Sequence, residues 1–298
     1  MADDSDHLTR FLLDRAGVRG VRVHLGDSWT RIRAHGDYPL AVAELLGEAT
    51  AAAALFTGHA KIDGRLSVQL RGEGRLRTLF AECTAAGTLR GIAQLAEDDT
   101  SPVSRDLREL GPDAMLAITI ESRGAPGREA MRYQGVVALE TDSLAAAFEQ
   151  YFRQSEQLPT RLLLAADEHH AAGLMLQKLP GDEGDEDGWN RASVLFDTLK
   201  PHELLQWPAE TLLSRLFQED GVRLLGDKPL RFACSCSRER VAAMLESLGP
   251  DEARAAVIGG SANVRCEFCG QAYRFSADEV EALFSRPGPE ARAPGALQ

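Results

Sequence analysis

The 298-residue sequence carries none of the usual marks of a secreted, membrane-spanning or catalytic chain. Its first ten residues, "MADDSDHLTR", hold neither the basic n-region nor the apolar h-region of a secretory signal. The most apolar window, residues 40–57, is interrupted by Glu44 and Glu48. Each of these charges would be costly in hydrocarbon, so the window is expected to form a buried helix rather than a membrane span. "LRGEG" has the glycines of a phosphate loop but neither the GK[ST] nor the strand–loop–helix spacing, and reads as a turn. Ser, His and Asp are scattered, with no G-x-S-x-G, and no catalytic activity is expected. There is no internal repeat of about 20–50 residues. Basic charge is also short: the formal net charge is −12, whereas phosphate tracking needs a positive face. Neither a nucleic-acid partner nor a membrane is therefore expected. The expected compartment is the cytoplasm, where thiols stay reduced.

What is present reads as an α+β chain. Leu8, Phe11 and Leu12 recur at helical spacing after Ser5 and Asp6, both good N-caps, which predicts an opening helix. "VRGVRVHL" alternates like a strand. Pro39 suits the first turn of an Ala-rich helix that ends near Gly58. Next come "RLSVQLRG", "RTLFAEC", "TLRGIAQL", "MLAITIES" and "RYQGVVAL", strand-like runs joined by turn residues, which favours antiparallel pairing. "SLAAAFEQYF" reads as a helix, and "TRLLLAA" and "AAGLMLQKLP" as two further strands. His169 and His170, after Asp167 and Glu168, are best placed in a solvated turn between those strands. Cys83 sits in a strand pattern, as a small buried hydrophobe.

Residues 1–180 thus form one expected domain, an antiparallel sheet with packed helices. Residues 180–188, "PGDEGDEDG", hold five acids and three glycines and mark a loop or flexible boundary. Residues 181–230 are expected to be a helical linker, with Trp189 and Trp207 and an apolar face of Leu212, Leu213, Leu216 and Phe217. Residues 231–285 form a small cysteine-bearing domain. It has a helix over 238–248, a hairpin in "NVRCEFCGQAYRF" and a helix opened by a capping box of Ser276 and Glu279. The Pro/Gly/Ala-rich tail, 286–298, is expected to be disordered.

Four of the five cysteines lie within 36 residues: Cys234 and Cys236 in "FACSCSRER", and Cys266 and Cys269 in "RCEFCG". Two close thiol pairs are the donor set of a tetrahedral zinc site. Cys266-x-x-Cys269 followed by Gly270 is a good metal knuckle, because glycine lets the backbone turn tightly around an ion. A catalytic zinc is disfavoured, since four thiolates leave no open position. A thioredoxin-like redox motif would need a βαβ context that is not apparent. A zinc module that tracks phosphate should carry excess positive charge, yet residues 231–298 hold eight Arg against nine Asp and Glu. A constitutive, zinc-stapled interaction module, nucleic-acid binding included, remains open, as does a site that uses two states of its thiols. Oxidation within each close pair would make very small rings, whose difficult geometry raises the reduction potential and makes the bond labile. Zinc in such a site contributes an apparent 10–16 kcal/mol or so, while a whole domain is stable by only about 5–15 kcal/mol. A region this small should therefore unfold when its thiols are oxidised, exposing whatever packs against it.

The cysteine spacing and its "CSCSRER" flank, together with "HGDYP", "RYQGVV", "YFRQSEQLPTR" and "DTLKPHELL", resemble the redox-regulated heat-shock holdase family, the 33 kDa chaperonins of bacteria. The resemblance spans nearly the whole chain, to about residue 285. It implies one Zn²⁺ held by Cys234, Cys236, Cys266 and Cys269 in a reduced, inactive state. It implies that oxidants form the disulfides Cys234–Cys236 and Cys266–Cys269, release zinc and unfold a metastable linker. It also implies a homodimer when oxidised, binding of unfolding client proteins without ATP, and later transfer to ATP-dependent foldases. It assigns no role to Cys83.

Overall fold

The computed structural model describes residues 6–60, 62–122, 131–181 and 185–285. Ser5, residues 182–184 of the acidic run and the tail 286–298, expected to be disordered, lie outside the described residues. The chain divides into two compact units, Met1–Cys234 and Ser235–Gln298.

The first unit opens with β1 (His7–Leu13) and β2 (Val18–Leu25), then α1 (Asp27–Arg33) and α2 (Leu40–Ala60). The helix expected after Asp6 is therefore a strand. Leu8 joins one hydrophobic cluster, while Phe11 and Leu13 join another on the opposite face. Burial on both faces disguises the two-residue period of a strand. Asp6 does serve as a cap, but for α1: its carboxylate accepts hydrogen bonds from the backbone N–H of Gly26 (3.0 Å) and Ser28 (2.9 Å).

The predicted strand runs follow as β3 (Gly64–Arg71), β4 (Leu76–Thr84), β5 (Thr88–Leu95), β6 (Met115–Ser122) and β7 (Met131–Val137). Next come α3 (Leu144–Ser155), β8 (Thr160–Ala166) and β9 (Ala171–Lys178). The 189–230 stretch contains α4 (Gly188–Asp197), α5 (Pro201–Gln206) and α6 (Ala209–Phe217), and then β10 (Val222–Pro229). That last segment is a strand where a helical pattern was expected. Gly221 takes a left-handed φ of 72° and ends the helical run, after which the chain pairs antiparallel with β1. β11 (Arg231–Phe232) closes the unit.

Two sheets result, with strand orders β10-β1-β2-β9-β8 and β11-β5-β4-β3-β6-β7. The first is antiparallel throughout; in the second, only β11 runs parallel to its neighbour β5. The main core joins α2 to Val21, Val23 and Leu25 of one sheet and to Leu66, Val68 and Leu79 of the other. Small side chains make this close approach possible. Ala51 to Ala54 are fully buried, and a Cβ on Gly47 would lie 2.4 Å from that of Ala166. By length and composition alone α2 passes for a membrane span, but it is largely enclosed by the fold, as expected. Glu48, buried within it, meets Arg105, which also pairs with Glu44.

The outer face of the first sheet carries a second cluster. Phe11, Leu13, Val18, Leu174 and Leu176 pack there against Phe196, Leu204, Leu212, Leu213 and Phe217 of α4–α6, with Trp189, Trp207 and Leu216 at the margin. Phe11 and Phe217 stack with ring centroids 6.5 Å apart. Polar anchors assist: Arg22 Nη2 donates to the Trp207 carbonyl and His24 Nε2 lies 2.8 Å from that of Leu205. Arg191 of α4 pairs with Asp185 and with fully buried Asp220. The end of the acidic run is thus tied down, with Asp185 N–H donating to the Arg15 carbonyl at 2.9 Å.

The second unit holds α7 (Arg238–Leu248), α8 (Pro250–Ala255), a small antiparallel sheet of β12 (Val257–Ile258), β13 (Ser261–Arg265) and β14 (Ala272–Ser276), and α9 (Ala277–Phe284). The expected helix over 238–248, the hairpin and the capping box of Ser276 and Glu279 are all present. Among the described residues, the fully packed part of its core is Val241, Leu245, Ala253, Ala262, Phe275 and Val280.

Candidate metal centre

Cys234 and Cys236 follow β11 on an irregular segment that ends where Ser237 caps α7, its hydroxyl accepting from Arg240 N–H. Cys266 and Cys269 lie on the turn between β13 and β14. There Gly270, at φ 69°, donates to the Cys266 carbonyl (2.8 Å), and Cys266 N–H donates to the Gln271 carbonyl (2.9 Å). The left-handed glycine is the one the knuckle motif requires. The four sulfurs lie within 4.8 Å of one another. Cys236 Sγ and Cys269 Sγ are 3.3 Å apart. A tetrahedral ion bound to thiolates at about 2.3 Å needs sulfurs about 3.8 Å apart, so these side chains fit such an ion without rearrangement of the backbone.

Tyr273 touches the cluster, while Arg238 ties α7 to β14 and α9 beside it. The Tyr273 hydroxyl donates to Cys236 Sγ at 3.1 Å. That hydrogen bond, followed by burial and the negative charge of Cys236, Cys269 and Cys266, pushes the phenol up to about 12, so it stays protonated as a donor. Arg238 donates to the Arg274 carbonyl (2.8 Å) and to Glu279 (2.7 Å), and its guanidinium lies 4.2 Å from the Phe275 ring centroid. Tyr273 and Arg238 escaped the sequence reading. Spacing along the chain does not show that a strand residue meets a sulfur on another segment. The one available signal was the alternation of Tyr273 with buried Phe275 directly after the knuckle.

Other residues fall as expected. Cys83 lies fully buried in β4, and burial pushes its thiol up to about 11. The low dielectric disfavours its thiolate, the reactive form. His169 and His170 occupy the turn between β8 and β9, their N–H groups donating to Asp167 Oδ1 at 2.7 Å.

An α+β core followed by a small unit, with four thiols clustered closely enough to hold a metal ion, defines a class of protein with a candidate cysteine metal centre. The family described as Hsp33 protein matches residues 6–276 of the chain. The 33 kDa chaperonin of Ectopseudomonas mendocina is 44% identical over 295 residues, covering 96% of this chain and 98% of that protein. The 33 kDa chaperonin of Azotobacter vinelandii is 43% identical, with 96% of each chain covered. The crystal structure of the 33 kDa chaperonin of Thermotoga maritima shares the fold, with a TM-score of 0.75 at 21% identity over 93% of this chain and 97% of that one. The chain belongs to the Hsp33 family of chaperones.

Proposed function

We propose that this chaperone is an ATP-independent holdase switched by the oxidation state of Cys234, Cys236, Cys266 and Cys269. The observation that carries the reading is the gathering of these four sulfurs within 4.8 Å. In the reduced state they hold one Zn²⁺, a soft-ligand tetrahedral site that stabilises the small domain, residues 231–285. Two equivalents of peroxide convert the four thiolates into the disulfides Cys234–Cys236 and Cys266–Cys269. Four electrons leave sulfur, four protons are taken up, and four waters and the freed Zn²⁺ are the products. The ligands are then gone, and the domain loses its main support.

Residues 181–230 are the responsive linker of this reading. The burial of α4–α6 against the first sheet supports it, because their release would expose Phe11, Val18, Leu174 and Leu176 as an apolar face. That face suits unfolding client proteins and a second oxidised copy of the chain. ATP-dependent foldases act downstream, and the setting is the cytoplasm.

The test measures bound zinc, free thiols and suppression of client aggregation before and after peroxide at raised temperature. The reading requires one zinc and four thiols lost and suppression gained. Equal suppression by the reduced, zinc-loaded chain would instead favour a constitutive zinc-stapled module. Catalytic turnover of disulfides would favour an oxidoreductase.

A further inference from the structure

The Tyr273 hydroxyl is 3.1 Å from Cys236 Sγ and donates to it. Its ring is held by the sheet: Tyr273 lies opposite Val264 in the β13–β14 pairing, two residues from buried Phe275. The hydroxyl therefore reaches the sulfur from a fixed platform, while Cys236 itself lies on an irregular segment. A hydrogen bond donated to a thiolate draws electron density from sulfur. It lowers the nucleophilicity that governs attack on an oxidant, and groups that orient a metal ligand in this way also strengthen metal retention.

We propose that Tyr273 is a positioning residue of the redox centre, whose hydroxyl restrains Cys236 and so sets how readily the thiolates react with peroxide and release metal. The proposal deepens the zinc-and-redox reading given above and rests on it. The reacting step is the oxidation already balanced there; Tyr273 neither gains nor loses a proton overall, and acts only through the sulfur it touches.

The test compares full-length wild type with Tyr273→Phe, which keeps the ring and removes the hydroxyl. Zinc release under a fixed excess of hydrogen peroxide is followed with a chromogenic chelator. Retention is measured by chelator competition without oxidant. The Co²⁺-loaded forms add a readout at the sulfur, the sulfur-to-cobalt charge-transfer band. Tyr273→Phe is expected to release zinc several-fold faster, to hold it about tenfold more weakly, and to move the charge-transfer band to lower energy.

Arg238→Gln serves as the structural comparison. It removes a tie of α7 to β14 and α9 while keeping the Tyr273 hydroxyl on Cys236, and is expected to leave the band in place. A Tyr273→Phe protein with unchanged band, retention and release rate overturns the proposal. So does acceleration by Arg238→Gln equal to that of Tyr273→Phe, with the band still in both, because the hydroxyl would then act only as a generic brace. If wild type itself binds no metal, or keeps it under peroxide, the underlying reading fails, and the proposal with it.

Discussion

Cys83 and Cys236 show how far surroundings decide what a thiol does. Cys83 is sealed in β4, and its thiolate is disfavoured by burial. Cys236 is half-buried, beside Cys269 and a phenol that donates to it. Brief alkylation of the native, metal-stripped and reduced chain should label Cys234, Cys236, Cys266 and Cys269 and spare Cys83 until the first unit is denatured. Peptide mass spectrometry reads this directly, and early labelling of Cys83 would contradict the sealed environment. Gly20 of β2 poses a similar single-residue test. A Cβ there would fall 2.1 Å from the Phe11 ring, which stacks on Phe217 of α6. Gly20→Ala must push that ring outward, at a cost of about 1–3 kcal/mol. The expected result is new proteolytic cleavage within residues 185–230 of the reduced chain; an unchanged digestion pattern would show that α6 does not depend on Phe11. The burial of Cys83 was legible from strand alternation, and the cysteine cluster from spacing. The roles of Gly20 and Tyr273 were not, because each depends on a neighbour brought close only by strand pairing or packing.

Among the elements, legibility followed how many faces each one buries. The strands β3 to β6 and the helix α2 declared themselves, since their apolar positions match one period or, in α2, form a long apolar run interrupted by Glu44 and Glu48. β1 was read as a helix because it has apolar neighbours on both faces. β10 was missed because nearly all of its side chains are exposed, so its pairing with β1 left no apolar period to read. Glu48, which looked like an interruption of α2, sits instead under Arg105, with Glu44 sharing the same guanidinium. Burial pushes Glu48 up to about 7, against the pull of Arg105. The folded chain therefore keeps this proton at pH values where the unfolded chain, with a carboxyl near 4.5, has lost it. This contribution to stability is complete below the unfolded value and is lost as pH rises through about 7. The fall amounts to at most about 1.4 kcal/mol per pH unit. Denaturant melts of the first unit from pH 5 to pH 8 should show it, and Glu48→Gln should flatten it. An equal slope in that variant would mean that Arg105 keeps the carboxylate ionised throughout. The α4–α6 segment has its own lock, in Arg191 and buried Asp220. Asp220→Ala leaves the partly exposed guanidinium with Asp185 and should cost about 1–3 kcal/mol, seen as earlier loss of hydrogen-exchange protection over α4 and α6 than over β2 and β9.

For the whole molecule, the decisive quantity is how much core each unit owns. The first unit has an extensive core around α2 and a second cluster beneath α4–α6, and the succession of strand-like and helix-like runs predicted that residues up to about 180 would fold as α+β. The packing of 189–217 onto the outer face of the first sheet was less legible, since an amphipathic pattern shows that a helix will bury one face but not against what. Among the described residues, the second unit has six fully packed core residues, several of them small or on short elements. Such a core is too small to offset the chain entropy of a domain this size without a staple. Removing the metal from the reduced chain with a chelator, with no oxidant present, should therefore unfold residues 238–284 while the strands β2 to β9 keep their protection. Hydrogen exchange with peptide resolution distinguishes the outcomes. Loss confined to 238–284 would place the stability of this unit in the thiolate–metal bonds and make metal release a sufficient trigger for its unfolding. Full protection without metal would mean that the core of Val241, Leu245 and Phe275 suffices, and that oxidation must act through the geometry of the disulfides rather than through loss of the ion.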